Sequence, residues 1–308
     1  MRNAFINEVT RLADDARVLI LLADNGIIVF DEYIRLHPKQ CVNIGIAESN
    51  MIGMAAGLAM SGFIPFVYTI SPFLVMRPYE FVRNDLCYQK TNVKLVGTGA
   101  GFIYSTLGPT HHATEDISIL RCLPNITILS PADPLETKMA TRAAYEHDGP
   151  VYLRIGTGKN PPVYEKEYGF AIGKGVVLKD GTDVGIIATG TILTEVLKAT
   201  EILGVKNIST RVVNMHTLKP IDEECILEIV EKCKVLLTVE EHNTVGGLGS
   251  VVAETLMEKA QKKILFKRMG LCDCFCKAYG PIDDVRKKVG LCSTDIAREA
   301  EDLLGKLK

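Results

Sequence analysis

A chain of 308 residues, 47% of them apolar and 23% charged, carries more than one core needs, because single cores stop growing at roughly 250–300 residues. Its formal charge is −2 with acids and bases interspersed, which excludes a basic stripe for nucleic acid and a polybasic patch for membranes and leaves small molecules or other proteins as partners. No apolar run nears the roughly 18–20 residues of a membrane span, and nine cysteines, an odd number set mostly in apolar segments (Cys41, Cys87, Cys122, Cys225, Cys233), fit free buried thiols in a reducing cytoplasm.

The chain opens on MRNAFINEVTRLADDA, which reads as a charged amphipathic helix over about 3–14 rather than a secretory signal. Strands are then expected at 17–24, 93–99, 126–130 and 151–155, with helices at about 48–61, 73–88 and 134–147. That alternation, punctuated by glycine and proline, predicts an α/β domain with a mainly parallel sheet. Periodicity fades after Gly158, so the first domain is expected over 1–165, a linker over 166–182 and a second, smaller α/β domain over 183–308. The second domain's strands are expected at 183–190, 209–215, 234–240 and 264–270, and its helices at about 191–203, 222–232, 249–262 and 294–306.

Within NIGIAESNMIGMAAGLAM the acid Glu48 heads a run whose Met51, Ala55 and Leu58 share one helical face, with Ile52 and Ala59 beside it. An acid there can simply complement the positive end of the helix. It can also be a buried carboxyl that keeps a proton for a ligand, since burial favours the neutral form. GTGAG (97–101) follows a strand but leads into no helix, so the dinucleotide fingerprint fails. GPTHHATED (108–116) places His111 and His112 in a polar loop ahead of acids, where binding and catalytic groups tend to sit. Arg154, inside the apolar strand VYLRIG, is read either as a buried ion pair or as an anion ligand. GGLGS (246–250) opens a helix and is read as close packing in preference to an anion site. CDCFC (272–276) is read as small residues on one buried strand face in preference to a metal site, whose usual spacing is C-x₂-C.

The order of these pieces carries more than any one of them. NIGIAESNMIGMAAGLAMSGFIPFVYTISPF, GPTHHATEDISILRCLPNITILSPADPLE, GPVYLRIG, TLKPID and HNTVGGLGSVVAE resemble, in this sequence, the C-terminal half of transketolases and of deoxyxylulose-phosphate synthases over essentially the whole chain. The resemblance implies a thiamine diphosphate pyrimidine-binding domain followed by a transketolase C-terminal-type domain. It implies that Glu48 bonds the pyrimidine ring nitrogen, that Phe73 stacks on the ring with Ile70 as a neighbouring wall, and that His111 faces donor hydroxyls. It also implies that Arg154 and Arg2 match substrate-phosphate arginines.

Two departures from the pattern of the transketolases it resembles stand out: Leu107 is found where they typically carry an aspartate that reads a sugar hydroxyl, and Gly99 where they carry a histidine that helps hold phosphate. A modified, deoxygenated or nucleotide-linked sugar is therefore as fitting an acceptor as a pentose phosphate. Gly-Asp-Gly, which marks the diphosphate and Mg²⁺ site in the family, does not occur, so no metal ligand is assigned to this chain. The resemblance implies instead an N-terminal-half partner subunit that carries that site, an α2β2 assembly, and transfer of a two-carbon ketol unit between sugars. Its rivals are a split deoxyxylulose-phosphate synthase, a 2-oxo acid dehydrogenase beta subunit and, in another class, a non-catalytic scaffold.

Overall fold

The computed structural model describes residues 1–158 and 160–307. Two sheets organise them. The strands are β1 (Val18–Leu22), β2 (Cys41–Asn43), β3 (Ile64–Ile70), β4 (Lys94–Thr98), β5 (Thr127–Leu129), β6 (Val151–Ile155), β7 (Val176–Lys179), β8 (Val184–Ala188), β9 (Thr210–Asn214), β10 (Thr217–Lys219), β11 (Val235–Asn243) and β12 (Leu265–Leu271). The first sheet runs β10-β5-β6-β4-β3-β1-β2 and the second β12-β11-β8-β9-β7. Every pairing is parallel except β10 with β5 and β7 with β9. Two α/β domains with mainly parallel sheets are therefore what the alternating pattern builds.

Side-chain alternation assigns the two faces of the first sheet. Leu21, Val67 and Leu95 enter a core that continues through Ile117 and Leu120 to Ile187, Val213 and Ile229 of the second domain. Ile20, Leu22, Phe66, Tyr68 and Val96 point the other way, against Phe5, Val9 and Phe30. The far face of the second sheet packs Val184, Ile186 and Val235 on Leu193, Val196 and Ala300. Because one cluster holds residues of both domains, the two share packing rather than hanging from a tether.

Several expectations need correction. The span 166–182, expected as linker, includes β7, an edge strand of the second sheet. Glu136 at the first turn of the helix Pro134–Glu146 ties that span to both domains: it accepts from Tyr168 Oη at 2.5 Å and from Asn214 Nδ2 of β9 at 2.8 Å. β3 lay outside the expected strands because Pro65 interrupts its run. Pairing with β4 begins only at Phe66, so the missing N–H falls ahead of that ladder. The helix expected over 73–88 is broken at Pro78 into Ser71–Met76, Tyr79–Phe81 and a π-helical turn at Val82–Tyr88. CDCFC does not lie on a strand: β12 ends at Leu271, leaving Cys272 and Cys274 exposed and Cys276 buried. All nine cysteines are free; Cys87, Cys225 and Cys233 are buried, but Cys41 is half-buried and Cys122 exposed.

His216, between β9 and β10, seals the same junction. Its ring stacks on Phe170 with centroids 4.1 Å apart, its Nδ1 lies 2.9 Å from Thr217 Oγ1, and its Nε2 has no partner. Burial lowers its pKa to about 4, with Asp222 pulling weakly the other way. Between that value and the ordinary one near 6.5 the unfolded chain binds the extra proton, so His216 contributes stability that is present above the window and lost as pH falls through it. Relative to a His216→Phe variant, the wild-type chain should lose about 3 kcal/mol between those limits, read from urea melts at stepped pH. A gap between the two proteins that stays constant with pH would show that His216 is not neutral in the fold.

Candidate active site

Parallel strands deliver the loops that follow them to one sheet edge, where ligands collect in open α/β folds. From that edge of the first sheet come Glu48 after β2, Ile70 at the end of β3 with Phe73 just beyond, Gly99, Tyr104 and His111 after β4, and Gly156 after β6.

Glu48 is the first residue of the helix Glu48–Met60, whose Met51, Ile52, Ala55 and Ala56 are buried beneath it. The small residues let the helix sit close to the sheet, which leaves Glu48 only 5% exposed. Its Oε1 accepts from Nη1 of Arg77 at 2.7 Å. Arg77 ends the helix Ser71–Met76 and is 48% exposed. Its guanidinium carbon lies 4.2 Å from the centroid of Phe73, four residues back on the same helical face. The Phe73 ring in turn meets that of His111 edge-on at 5.2 Å, and Thr110 Oγ1 lies 2.9 Å from His111 Nδ1. Glu48, Phe73 and His111, chosen from separate motifs, thus form one line of contacts, with half-buried Ile70 three residues ahead of Phe73.

The residues present fit an aminopyrimidine ring. Such a ring needs a shielded carboxyl at one edge and an aromatic surface against one face. Arg77 already presents a flat, N–H-bearing group to both, so the separation of the two surfaces suits a planar donor.

The two candidate arginines are not brought into this line. Arg154 is 2% exposed and spent internally: Nε donates to Asp116 Oδ2 at 2.7 Å, and Nη2 to the carbonyls of Ala113 at 2.7 Å and Glu241 at 3.0 Å. Tyr152 donates to the same Asp116 oxygen at 2.7 Å. Of the two readings of Arg154, the buried ion pair is present, and Nη1 is the one guanidinium nitrogen left without a hydrogen bond. Arg2 opens the helix Arg2–Leu12, half-buried, with its Nε lacking a partner.

Gly99 has φ +84°, and a Cβ built there would lie 2.1 Å from Cδ2 of Tyr104. The tyrosine ring therefore fills the volume a side chain at 99 would take, and it stands 6.4 Å from the His111 ring. Leu107 is exposed on the short turn Ser105–Leu107. The paired histidines diverge: His111 joins the site, whereas His112 is buried edge-on to Phe102 with neither ring nitrogen partnered, and burial lowers its pKa. GGLGS does wrap an acidic group, but an internal one. Glu240 accepts from the N–H groups of Leu248 and Gly249, both at 2.7 Å, and a Cβ at Gly247 would lie 2.1 Å from its Oε2. Burial pushes that carboxyl up to about 7 against the pull of the two N–H donors. Among the described residues no group of three or more His, Cys, Asp or Glu could hold a metal ion.

Sequence reasoning missed Arg77 and Tyr104. Arg77 had a usable signal, four residues after Phe73 in SPFLVMRP; Tyr104 had none short of the φ at Gly99.

Known proteins resemble this chain over most of its length. The domain family described as transketolase, pyrimidine binding domain, matches residues 2–161, and transketolase, C-terminal domain, matches residues 173–296. A Methanocaldococcus jannaschii protein named "Putative transketolase C-terminal section" is 43% identical over 85% of this chain and 82% of its own. A 6-deoxy-6-sulfo-D-fructose transketolase subunit of Clostridium sp. is 35% identical over 98% of this chain and 94% of its own. A solved structure described as a split gene transketolase, inactive beta4 tetramer, superposes with a TM-score of 0.91 at 36% identity, covering 99% of this chain and 98% of that one.

Proposed function

This chain belongs to the transketolase family, and from that premise we propose that it is the C-terminal half of a two-chain, thiamine diphosphate-dependent enzyme moving a two-carbon ketol unit from a ketose to an aldehyde. The observation that carries the reading is the shielded carboxyl of Glu48 and the face of Phe73 meeting one planar N–H donor. When bound, thiamine diphosphate supplies the carbon centre that takes up and releases the ketol unit. Glu48, 5% exposed at the head of its helix, would hold the ring nitrogen through its carboxyl and share a proton with it there. Phe73 would stack on the ring, a contact worth on the order of 1 kcal/mol beyond area burial, with Ile70 as a neighbouring wall. His111, edge-on to Phe73, orients the donor hydroxyls.

Mg²⁺ and the diphosphate belong to an N-terminal-half partner, in an α2β2 assembly with two-fold symmetry. The names of the similar proteins as subunits and sections support this. So does the exposure of Ile46, Met54 and Met60, just before and along the helix that Glu48 opens, and of Met76 and Phe81; Met51 of the same helix is fully buried and is not available to such a contact. An obligate interface of this kind buries on the order of 2,000 Å² or more. No described helix is long and apolar enough to cross a membrane, and the nine free thiols suit a reducing cytoplasm. Arg2 is the more exposed of the two candidate arginines for an anionic substrate group. Tyr104 over Gly99, with exposed Leu107, favours a modified or deoxygenated sugar over a pentose phosphate.

In titration calorimetry the isolated chain should bind thiamine diphosphate weakly, and adding the partner should confer tight, magnesium-dependent binding. Tight binding by the chain alone would contradict a divided site.

A further inference from the structure

Arg77 belongs to none of the motifs, yet it touches both surfaces on which the site depends. Its Nη1 bonds the Glu48 carboxyl at 2.7 Å while its guanidinium lies 4.2 Å above the Phe73 ring. A carboxyl that is 5% exposed needs a partner when no ligand is bound, because an unpaired buried charge is costly. A flat, delocalised cation with N–H groups on its edge and a π-face shares with an aminopyrimidine ring its planar shape, its ability to stack and its donation to a carboxylate, but not the exchange of a proton.

We infer that Arg77 is a placeholder for the cofactor ring, a positioning residue that holds Glu48 and Phe73 at the spacing the ring needs and yields both to it. This rests on the thiamine diphosphate reading of the site. Three features make the exchange cheap. Arg77 is 48% exposed, so its pairing is solvent-screened and weak enough to reverse. It sits at the end of a six-residue helix ahead of Pro78, so its side chain swings outward by rotamer change with the backbone in place. Phe73 and Arg77 occupy one helical face, so withdrawing the guanidinium uncovers the ring without moving it. The cost is competition: a site occupied by its own arginine binds the ring more weakly by the fraction of time it is closed.

The test uses the full chain without its partner, with thiamine as the probe, followed by thermal melts and calorimetry. Arg77→Ala should lower the melting temperature of the ligand-free chain, since Glu48 loses its partner. Thiamine should then raise the melting temperature of the variant more than that of the wild type, with an apparent Kd about three- to fivefold lower. Arg77→Lys, which pairs with Glu48 but has no flat face for Phe73, should fall between the two and remain folded. Equal thiamine responses in wild type and variants, no response in any of them, or weaker binding by Arg77→Ala would each overturn the placeholder role. Thiamine diphosphate binding by the wild-type chain with its partner is measured alongside. Its absence removes the cofactor reading itself, whereas its presence with no gain in Arg77→Ala removes only the inference about Arg77.

Discussion

Glu48→Ala should abolish turnover by the chain assembled with its partner, and Glu48→Gln should lower it by about 10²–10⁴-fold, the span that positioned acid–base groups contribute. Both variants should stay folded. Glu48 starts its helix rather than filling the core beneath it, where Met51, Ile52 and Ala55 do the packing, and its one ion pair is to a half-exposed arginine. Glutamine separates the two roles a carboxyl could have here. It keeps the volume and one hydrogen-bonding oxygen but carries no charge, so a helix-end role would appear as a stability loss of about 0.3–1 kcal/mol with the rate unchanged, whereas an inability to take and return a proton appears in the rate. The measurement is single-turnover and steady-state rates with a ketose donor, accompanied by melting curves. Near-normal rates for Glu48→Gln in a folded protein would take Glu48 out of the mechanism and leave it as the complement to the helix end.

The line Glu48–Phe73–His111 was legible because the motifs holding these residues follow strands of one parallel sheet, and such strands bring their trailing loops to one edge whatever the separation along the chain. Local pattern served equally well for the helix Glu48–Met60, whose buried residues recur at helical spacing. It failed where pairing is non-local. The three-residue β10 joins the first sheet beside β5, and nothing in TLK announces a partner nearly ninety residues earlier. It failed again at β7, which lies in a stretch whose charges and glycines look like linker but whose Val177 and Val176 pair against β9. Arg77 was passed over for a different reason. Composition treats an arginine beside Pro78 and Glu80 as a solvated surface charge, and half of its side chain is indeed solvated. Only the coincidence of a buried acid from one loop and an aromatic ring from another gives it a task. Gly99 illustrates the converse: its departure from the family pattern was visible, whereas the ring of Tyr104 that fills the space depends on how the following loop turns back.

Arg154→Met should cost roughly 3–5 kcal/mol of stability, the penalty for removing one member of a buried charge pair, and should leave the KM for a phosphorylated donor close to that of the wild type in whatever protein folds. Asp116 is fully buried, its Oδ2 accepts from both Arg154 and Tyr152, and its Oδ1 has no hydrogen-bond partner. Stripping away the guanidinium would strand that carboxylate in the core and free the carbonyls of Ala113 and Glu241 that Nη2 now satisfies. These carbonyls belong to the loop bearing His111 and to β11 of the second domain, so the loss would reach the active-site loop and the domain junction together. The same physics predicts partial recovery in Arg154→Met/Asp116→Leu, because replacing both members of a buried pair by apolar groups is often neutral. A phosphate ligand would behave in the opposite way, with melting temperature held, KM raised several-fold for phosphorylated donors alone, and no rescue by the second change. Melting curves and donor kinetics on the two variants therefore assign Arg154 to the fold or to the substrate.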